Sequence, residues 1–340
     1  MINFNWPVIG QEKIIKFLQK GMANNKLAHA YLFTGSQHLG KKLLADNFIA
    51  SILCYDYHQQ NKLKIKELPC GECAFCQQLK KKIHPDVYFL NKEQDKKNIT
   101  VEQVREMQKL LYMASFLNSY KIALIAQAED LSESAQNALL KILEEPKSKT
   151  VLLILAKDIN YLLPTIISRC QQIKFNPVAQ DQIFKHLISL GASREQARLY
   201  AALANGKIGL AIDFFHNPVL FKEYLTKTEQ MLKIFKINIA ERFILLETTL
   251  AGFTNNNAKI DYWQQELESW QLILRDILII QNSLEYLVTN LHFKDELADL
   301  AKQLPVDKLI TLIKQIKEIK KYLAYNINPS LAMENLILNF

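Results

Sequence analysis

Gly35-Ser36-Gln37-His38-Leu39-Gly40-Lys41-Lys42 has the spacing of a phosphate-binding loop, GxxxxGK followed by Ser or Thr. In such loops backbone amides and the lysine cradle the phosphates, and the hydroxyl after the lysine holds the Mg²⁺ that bridges the β- and γ-phosphates. Gly35, Gly40 and Lys41 are in register, but Lys42 fills the hydroxyl position, a cation where a metal ligand belongs. The apolar run Ala30-Tyr31-Leu32-Phe33 before the loop and the helical pattern from Leu43 to Ile49 after it predict the strand–loop–helix context the motif needs. A chance octamer is the alternative. Two lysines without a magnesium ligand predict weak attraction for phosphates and no turnover.

A second set of chemically capable residues follows. Cys70, Cys73 and Cys76 stand in Cys-x2-Cys-x2-Cys, with Cys54 upstream. Four thiolates can close a tetrahedral shell around Zn²⁺, the arrangement of structural rather than catalytic zinc sites. Pro69 and Gly71 shape the turn between them, and the segment is too polar to pack a core of its own, so a metal would supply its folding energy. A [4Fe–4S] cluster, a disulfide framework and free thiols acting as small hydrophobes are the alternatives. Cys170 is the fifth cysteine and is expected to be a small buried packing residue, because four thiolates already complete the shell.

The elements that must position these groups alternate strand and helix. His84-Pro85-Asp86 is a turn feeding the strand Val87–Leu90, and Thr100 with Gln103 predicts a capping box opening the next helix. The buried-type strand Lys121–Ile125 ends in Ala126-Gln127, where nucleoside triphosphatases carry the acidic pair that holds magnesium and activates water. The first carboxylates appear at Glu129-Asp130. An amphipathic helix from Ser134 stops at Pro146, and the strand Val151–Ala156 leads to Lys157 at the position of a γ-phosphate sensor. Pro164-Thr165-Ile166-Ile167-Ser168-Arg169-Cys170 precedes a short strand, Gln172–Phe175.

The run Asn137-Ala138-Leu139-Leu140-Lys141-Ile142-Leu143-Glu144-Glu145-Pro146 and the later Ser168-Arg169-Cys170 motif resemble the hallmark sequences of bacterial clamp-loader AAA+ proteins. The resemblance spans essentially the whole chain. It is strongest over residues 28–176 and returns at Asn326–Leu336, which resembles a C-terminal collar helix. The fold it implies is an α/β AAA+ module, a parallel sheet with helices on both faces and a zinc-binding insertion, then a small helical lid and an all-α collar. The implied bounds are 1–176 with the zinc module at about 54–84, 177–226, and 227–340. The defective loop and absent acidic pair resemble the non-hydrolysing member of the family, not its ATP-hydrolysing gamma/tau member.

In that family Arg169, flanked by Ser168 and Cys170, reaches into a neighbouring subunit's ATP site. A guanidinium suits this task, being always charged and able to hold phosphate oxygens bidentately. Taken alone, Arg169 reads equally well as a helix-end arginine capping carbonyls or pairing with Glu144 or Glu145. The resemblance further implies a hetero-pentamer with gamma/tau and delta subunits that opens a sliding clamp on primed DNA, with ATP held by the neighbour. Gly35, Gly40 and Lys41 remain the residues for nucleotide binding in cis, and Cys54, Cys70, Cys73 and Cys76 those for structural zinc. Leu210 stands where ATP-using relatives place a basic sensor, with Lys207 close by in sequence.

Charge is asymmetric. Residues 1–175 hold 24 Lys and Arg against 16 Asp and Glu, whereas residues 176–340 hold 18 of each, so the whole net charge of +8 lies in the half with the phosphate loop. A polyanion contact and a solvated lysine-rich surface both account for it. No stretch has the length and apolarity of a membrane span, and no basic-then-apolar leader opens the sequence, so a cytoplasmic location is expected. In the second half, Trp263, Leu267, Trp270, Leu274, Ile277 and Leu278 recur at helical spacing, and Asn255-Asn256-Asn257 reads as a loop. Two other functions compete: an active P-loop ATPase, and a zinc-dependent nucleic-acid-binding regulator.

Overall fold

Every residue of the strand Thr150–Ala156 is buried, and its side chains divide by parity between two cores. Val151, Leu153 and Leu155 enter one core, while Leu152, Ile154 and Ala156 enter the other. A strand covered on both faces is the signature of a parallel sheet. The computed structural model describes residues 3–93, 96, 98–115, 118–147, 149–253, 256–324 and 328–340.

The strands are β1 (Asn3–Phe4), β2 (Ala30–Thr34), β3 (Glu67–Leu68), β4 (Val87–Leu90), β5 (Lys121–Ile125), β6 (Thr150–Ala156) and β7 (Gln171–Lys174). The helices of the first half are α1 (Glu12–Ala23), α2 (Lys41–Gln60), α3 (Ala74–Lys80), α4 (Val101–Tyr112), α5 (Glu133–Glu144) and α6 (Pro164–Ile167). The main sheet runs β4-β5-β6-β2-β7, all parallel, with Phe33 opposite Leu155 and Ile173. Helices α1 and α2 bury Leu18, Met22, Leu44, Phe48 and Ile52 on one face; α4, α5 and α6 bury Val104, Met107, Leu139 and Ile166 on the other. Each such side chain contributes ~1.5–3 kcal/mol relative to leaving it in water. The expected parallel sheet with helices on both faces is present.

The local signals explain the element ends. Thr100 and Gln103 form both halves of the capping box. Helix α5 begins at Glu133, one residue before the expected Ser134, because the Ser132 hydroxyl accepts from the Ala135 amide and caps it there. Strand β7 runs Gln171–Lys174 rather than Gln172–Phe175, and Phe175 continues the pairing through its amide to Thr34 O at 2.8 Å.

The chain divides into two compact units, residues 1–182 with 206–209, and residues 183–205 with 210–340. Beyond the sheet come α7 (Gln180–Ser189), α8 (Arg194–Leu203), α9 (Ile208–His216), α10 (Pro218–Ile234), α11 (Ile239–Ala251), α12 (Asn256–Gln281), α13 (Lys294–Gln303), α14 (Val306–Ala324) and α15 (Pro329–Ile337). Trp263, Leu267, Trp270, Leu274 and Ile277 of α12 are buried in the second unit's core, with Leu278 partly so. The expected loop at Asn255–Asn257 is corrected: Asn256 and Asn257 are the first residues of α12, and Asn255 lies outside the described residues. Asparagine is common at helix starts as well as in loops, which is why composition misleads there. Asn326 and Ile327 of the collar motif also lie outside the described residues; α15 itself starts at Pro329 behind the Asn328 cap. Among the described residues no helix is long and apolar enough to cross a membrane.

Candidate functional site

Strands β5, β6 and β2 are neighbours and parallel, so their carboxyl ends deliver Ala126, Lys157 and Gly35 to one edge of the sheet. Ligands of open α/β sheets bind at such an edge. Gly35 has φ +138° and packs so closely under Phe175 that a Cβ would lie 2.8 Å from its carbonyl oxygen. Gly40, at φ +87°, is the left-handed residue that turns the loop into α2. From outside, the Gly209 amide donates to His38 O at 2.8 Å. The loop is therefore built as the sequence requires.

Its lysines are engaged elsewhere. Lys41 Nζ donates to the carbonyls of Gly35 and, at 2.7 Å, Ser36, so the loop's own oxygens satisfy the ammonium. Burial lowers its pKa to about 8, a fall opposed by the charge of Glu129 and reinforced by that of Lys157. Lys42 turns along α2 to Asp46, 3.3 Å away, and lies 6.0 Å from the Phe89 ring centroid. No oxygen ligand for magnesium is offered at the start of α2. At the end of β5, Ala126 and exposed Gln127 supply no carboxylate.

The nearest acids are already paired. Glu129, in a 3₁₀ turn over Ala128–Asp130, accepts from the Lys157 amide at 3.3 Å and lies 3.6 Å from Lys157 Nζ. Asp130 pairs with Lys92 at 3.5 Å. The sequence reading noted Glu129 as the first carboxylate after β5 and missed its pairing with Lys157. Lys157, at the position read from the sequence as that of a sensor, is thus paired within its own chain.

Arg169 follows α6. Its Nη2 lies 2.9 Å from Glu144 Oε1 at the end of α5, and its Nη1 donates to Thr165 O at 3.0 Å and to the Ser168 hydroxyl at 3.5 Å. Within this chain, then, the helix-end role and the Glu144 pairing both occur. Cys170 is half-buried against the second core rather than fully buried, and burial pushes its thiol up to about 12. Leu210 is a half-buried residue of α9.

The cysteines converge. Helix α2 runs well past Ile49 to Gln60 and carries Cys54, while Cys73 caps α3 and Cys76 lies in its first turn. The Cys70 amide donates to Cys54 Sγ at 3.3 Å, Cys73 N to Cys70 Sγ at 3.3 Å, and Cys76 N to Cys73 Sγ at 3.5 Å. Amides aimed at sulfur favour the thiolate, the form that binds metal. Thiol hydrogen bonds from Cys54 and Cys76 hold Cys73 below the usual thiol range, while Cys54 is pushed up as their proton donor. The sulfurs of Cys54, Cys70 and Cys73 lie within 4.8 Å of one another, a donor set that matches a borderline-soft cation such as Zn²⁺. The sequence reading missed His58: one of its ring nitrogens and the sulfurs of Cys54, Cys70 and Cys73 all lie within 4.8 Å of one another. The i, i+4 spacing from Cys54 becomes a signal only with α2 extended past the expected Ile49 to Gln60.

Comparison with known proteins decides the family. The family model described as DNA polymerase III, delta subunit, matches residues 10–179, and that described as DNA polymerase III, delta subunit, C terminal, matches residues 226–340. The chain belongs to the DNA polymerase III delta-subunit family. The delta-prime subunit of Bacillus subtilis is 27% identical over 328 residues, covering 96% of this chain and 95% of that protein. The delta-prime subunit of Pseudomonas aeruginosa is 41% identical over 145 residues, 43% of this chain and 42% of that protein. A DNA polymerase III gamma subunit-related protein of Thermotoga maritima aligns over 97% of both chains at 16% identity with a TM-score of 0.42. The resemblance read from the sequence is thus borne out, on the delta-prime side of the polymerase III family.

Proposed function

We propose that this chain is the delta-prime-type subunit of a bacterial clamp loader, cytoplasmic and non-hydrolysing, with Arg169 offered in trans to a neighbouring subunit's ATP. The observation that carries the non-hydrolysing part is the state of Lys41, held by Gly35 O and Ser36 O with Lys42 beside it on Asp46. A magnesium–phosphate complex needs an anionic or hydroxyl ligand where Lys42 stands, and a water-activating carboxylate where Ala126 and Gln127 stand. Without them the loop serves the architecture of the sheet edge. Gly35, Gly40 and Lys41 hold at most a weakly bound phosphate.

Arg169 would act on charge that develops in phosphoryl transfer, bidentate on γ-phosphate oxygens. The partners are gamma/tau and delta subunits in a hetero-pentamer, the sliding clamp, and primed DNA reached through the complex. The positive balance of residues 1–175 fits a polyanion nearby. Residues 1–176, 177–226 and 227–340 would serve as sheet module, lid and oligomerising collar. Zn²⁺ at the cysteine module would fold the insertion and supply no chemistry.

The test is a reconstituted loader with Arg169→Ala, assayed for ATP turnover with clamp and primed DNA. Arginine fingers in GTPases are worth ~10³–10⁵ in rate, so a loss of at least about tenfold is expected even with several sites per ring. Unchanged turnover would falsify the finger role. ATP hydrolysis by the isolated chain, abolished by Lys41→Ala, would overturn the non-hydrolysing assignment.

A further inference from the structure

Helix α2 brings a fifth donor to the sulfur cluster. Cys54 and His58 are four residues apart on α2, so their side chains share a face. A His58 nitrogen and Sγ of Cys54, Cys70 and Cys73 are mutually within 4.8 Å. Both ring nitrogens of His58 are buried, and neither has a hydrogen-bond partner. Buried polar atoms are normally partnered, so such a pair calls for an ion or water. Cys76, outside that group, lies one turn on from Cys73 and donates its amide to Cys73 Sγ at 3.5 Å. A structural zinc ion takes four ligands, and this segment offers five donors, four of them already gathered with His58 among them.

We propose that His58 is an alternate metal ligand: Cys54, Cys70 and Cys73 hold the ion, and Cys76 and His58 exchange for the fourth position. Both resulting shells, Cys₄ and Cys₃His, are ones that zinc accepts. The exchange swaps a thiolate for a neutral imidazole, so the charge of the bound complex changes by one while the ion stays four-coordinate. Loss of Cys76 to oxidation or alkylation then leaves the ion in place. The inference rests on the cluster being a metal centre, as proposed above.

The test uses the full chain, stripped with a chelator and refilled with Co²⁺, whose absorption separates four-thiolate from three-thiolate, one-nitrogen shells. The unmutated chain and His58→Gln are expected to bind one ion in a four-thiolate shell. Cys76→Ser is expected to bind one ion in a three-thiolate, one-nitrogen shell. Removing even an outer-shell partner costs about 10–100-fold in metal affinity, so adding His58→Gln to Cys76→Ser should weaken Co²⁺ binding by no less. Equal affinity of the single and double variants overturns the proposal. Should Cys76→Ser not fold, the pair of unmutated chain and His58→Gln decides: zinc release to a chelator is slower in the variant if His58 displaces Cys76 on the way out, and equal rates overturn the exchange. An unmutated chain that takes up no Co²⁺ or Zn²⁺ overturns the metal centre itself, a separate failure.

Discussion

Arg169 Nη2 sits 2.9 Å from Oε1 of Glu144, so the guanidinium proposed for a neighbour's phosphate is held by a carboxylate of its own chain. The side chains are 37% and 51% exposed, and exposed pairs are worth ~0–1 kcal/mol. A triphosphate with several oxygens and more charge competes easily with one carboxylate. Glu144→Gln is therefore expected to move unfolding stability by no more than about 1 kcal/mol, and to leave or raise ATP turnover of the reconstituted loader. A large fall in turnover from this variant would show instead that Glu144 is needed to aim the arginine.

Lys41 titrates at about 8 in the folded chain against an ordinary 10.5. Between those values the unfolded state binds more protons, so this residue's contribution favours folding increasingly as pH rises through that window and is level below it. Denaturation midpoints compared from pH 7 to 10.5 should show a rise that Lys41→Met removes. Any phosphate affinity of the loop should fall as pH passes about 8, well before a free lysine would lose its charge.

Asp276 is fully buried in the second unit and holds a network together. Its Oδ2 accepts from the Thr289 amide (3.1 Å), the Thr289 hydroxyl (2.7 Å), the Asn290 amide (2.8 Å) and Asn290 Nδ2 (2.8 Å), and Oδ1 pairs with Arg275 at 3.1 Å. Asp276→Leu strands all these donors and should cost ~3–5 kcal/mol in urea denaturation. Asp276→Asn keeps an acceptor oxygen and should cost about 1–3 kcal/mol. Similar small losses for both would show that water replaces the carboxylate.

Burial keeps Cys170 a thiol, with its pKa at about 12. At pH 8 its alkylation should be slow beside that of the chelator-stripped cluster, read by mass spectrometry of labelled peptides. Equal labelling rates would mean that this region opens readily.

Metal removal should unfold the insertion while the sheet persists. Lys62, Lys64, Lys66, Lys80, Lys81 and Lys82 lie in or beside it, so trypsin should cut there faster after chelation and slow again when Zn²⁺ is restored. Cleavage indifferent to chelator would count against a metal that folds this segment.

The sheet was legible because β2, β4, β5 and β6 are short apolar runs bounded by turn signals, and parity did the rest: β6 needs both faces covered. The capping box at Thr100 was equally plain, being local chemistry. What sequence could not show was pairing at a distance. Lys157 with Glu129 and Arg169 with Glu144 join residues 28 and 25 positions apart, and nothing in composition selects those partners. His58 escaped notice for a related reason. The cysteines alone complete a four-donor count, so a nearby histidine carries no signal until α2 is seen to continue through Cys54 to Gln60.

Helix α2 starts at Lys41 and passes the sulfur cluster at Cys54, thirteen residues and about 20 Å further on. One rod is thus moored at its head by lysine on carbonyl oxygen and further along by thiol groups. Both moorings are made by groups of this chain alone. Under the role proposed above, such a rod would serve as a fixed post against which hydrolysing neighbours move.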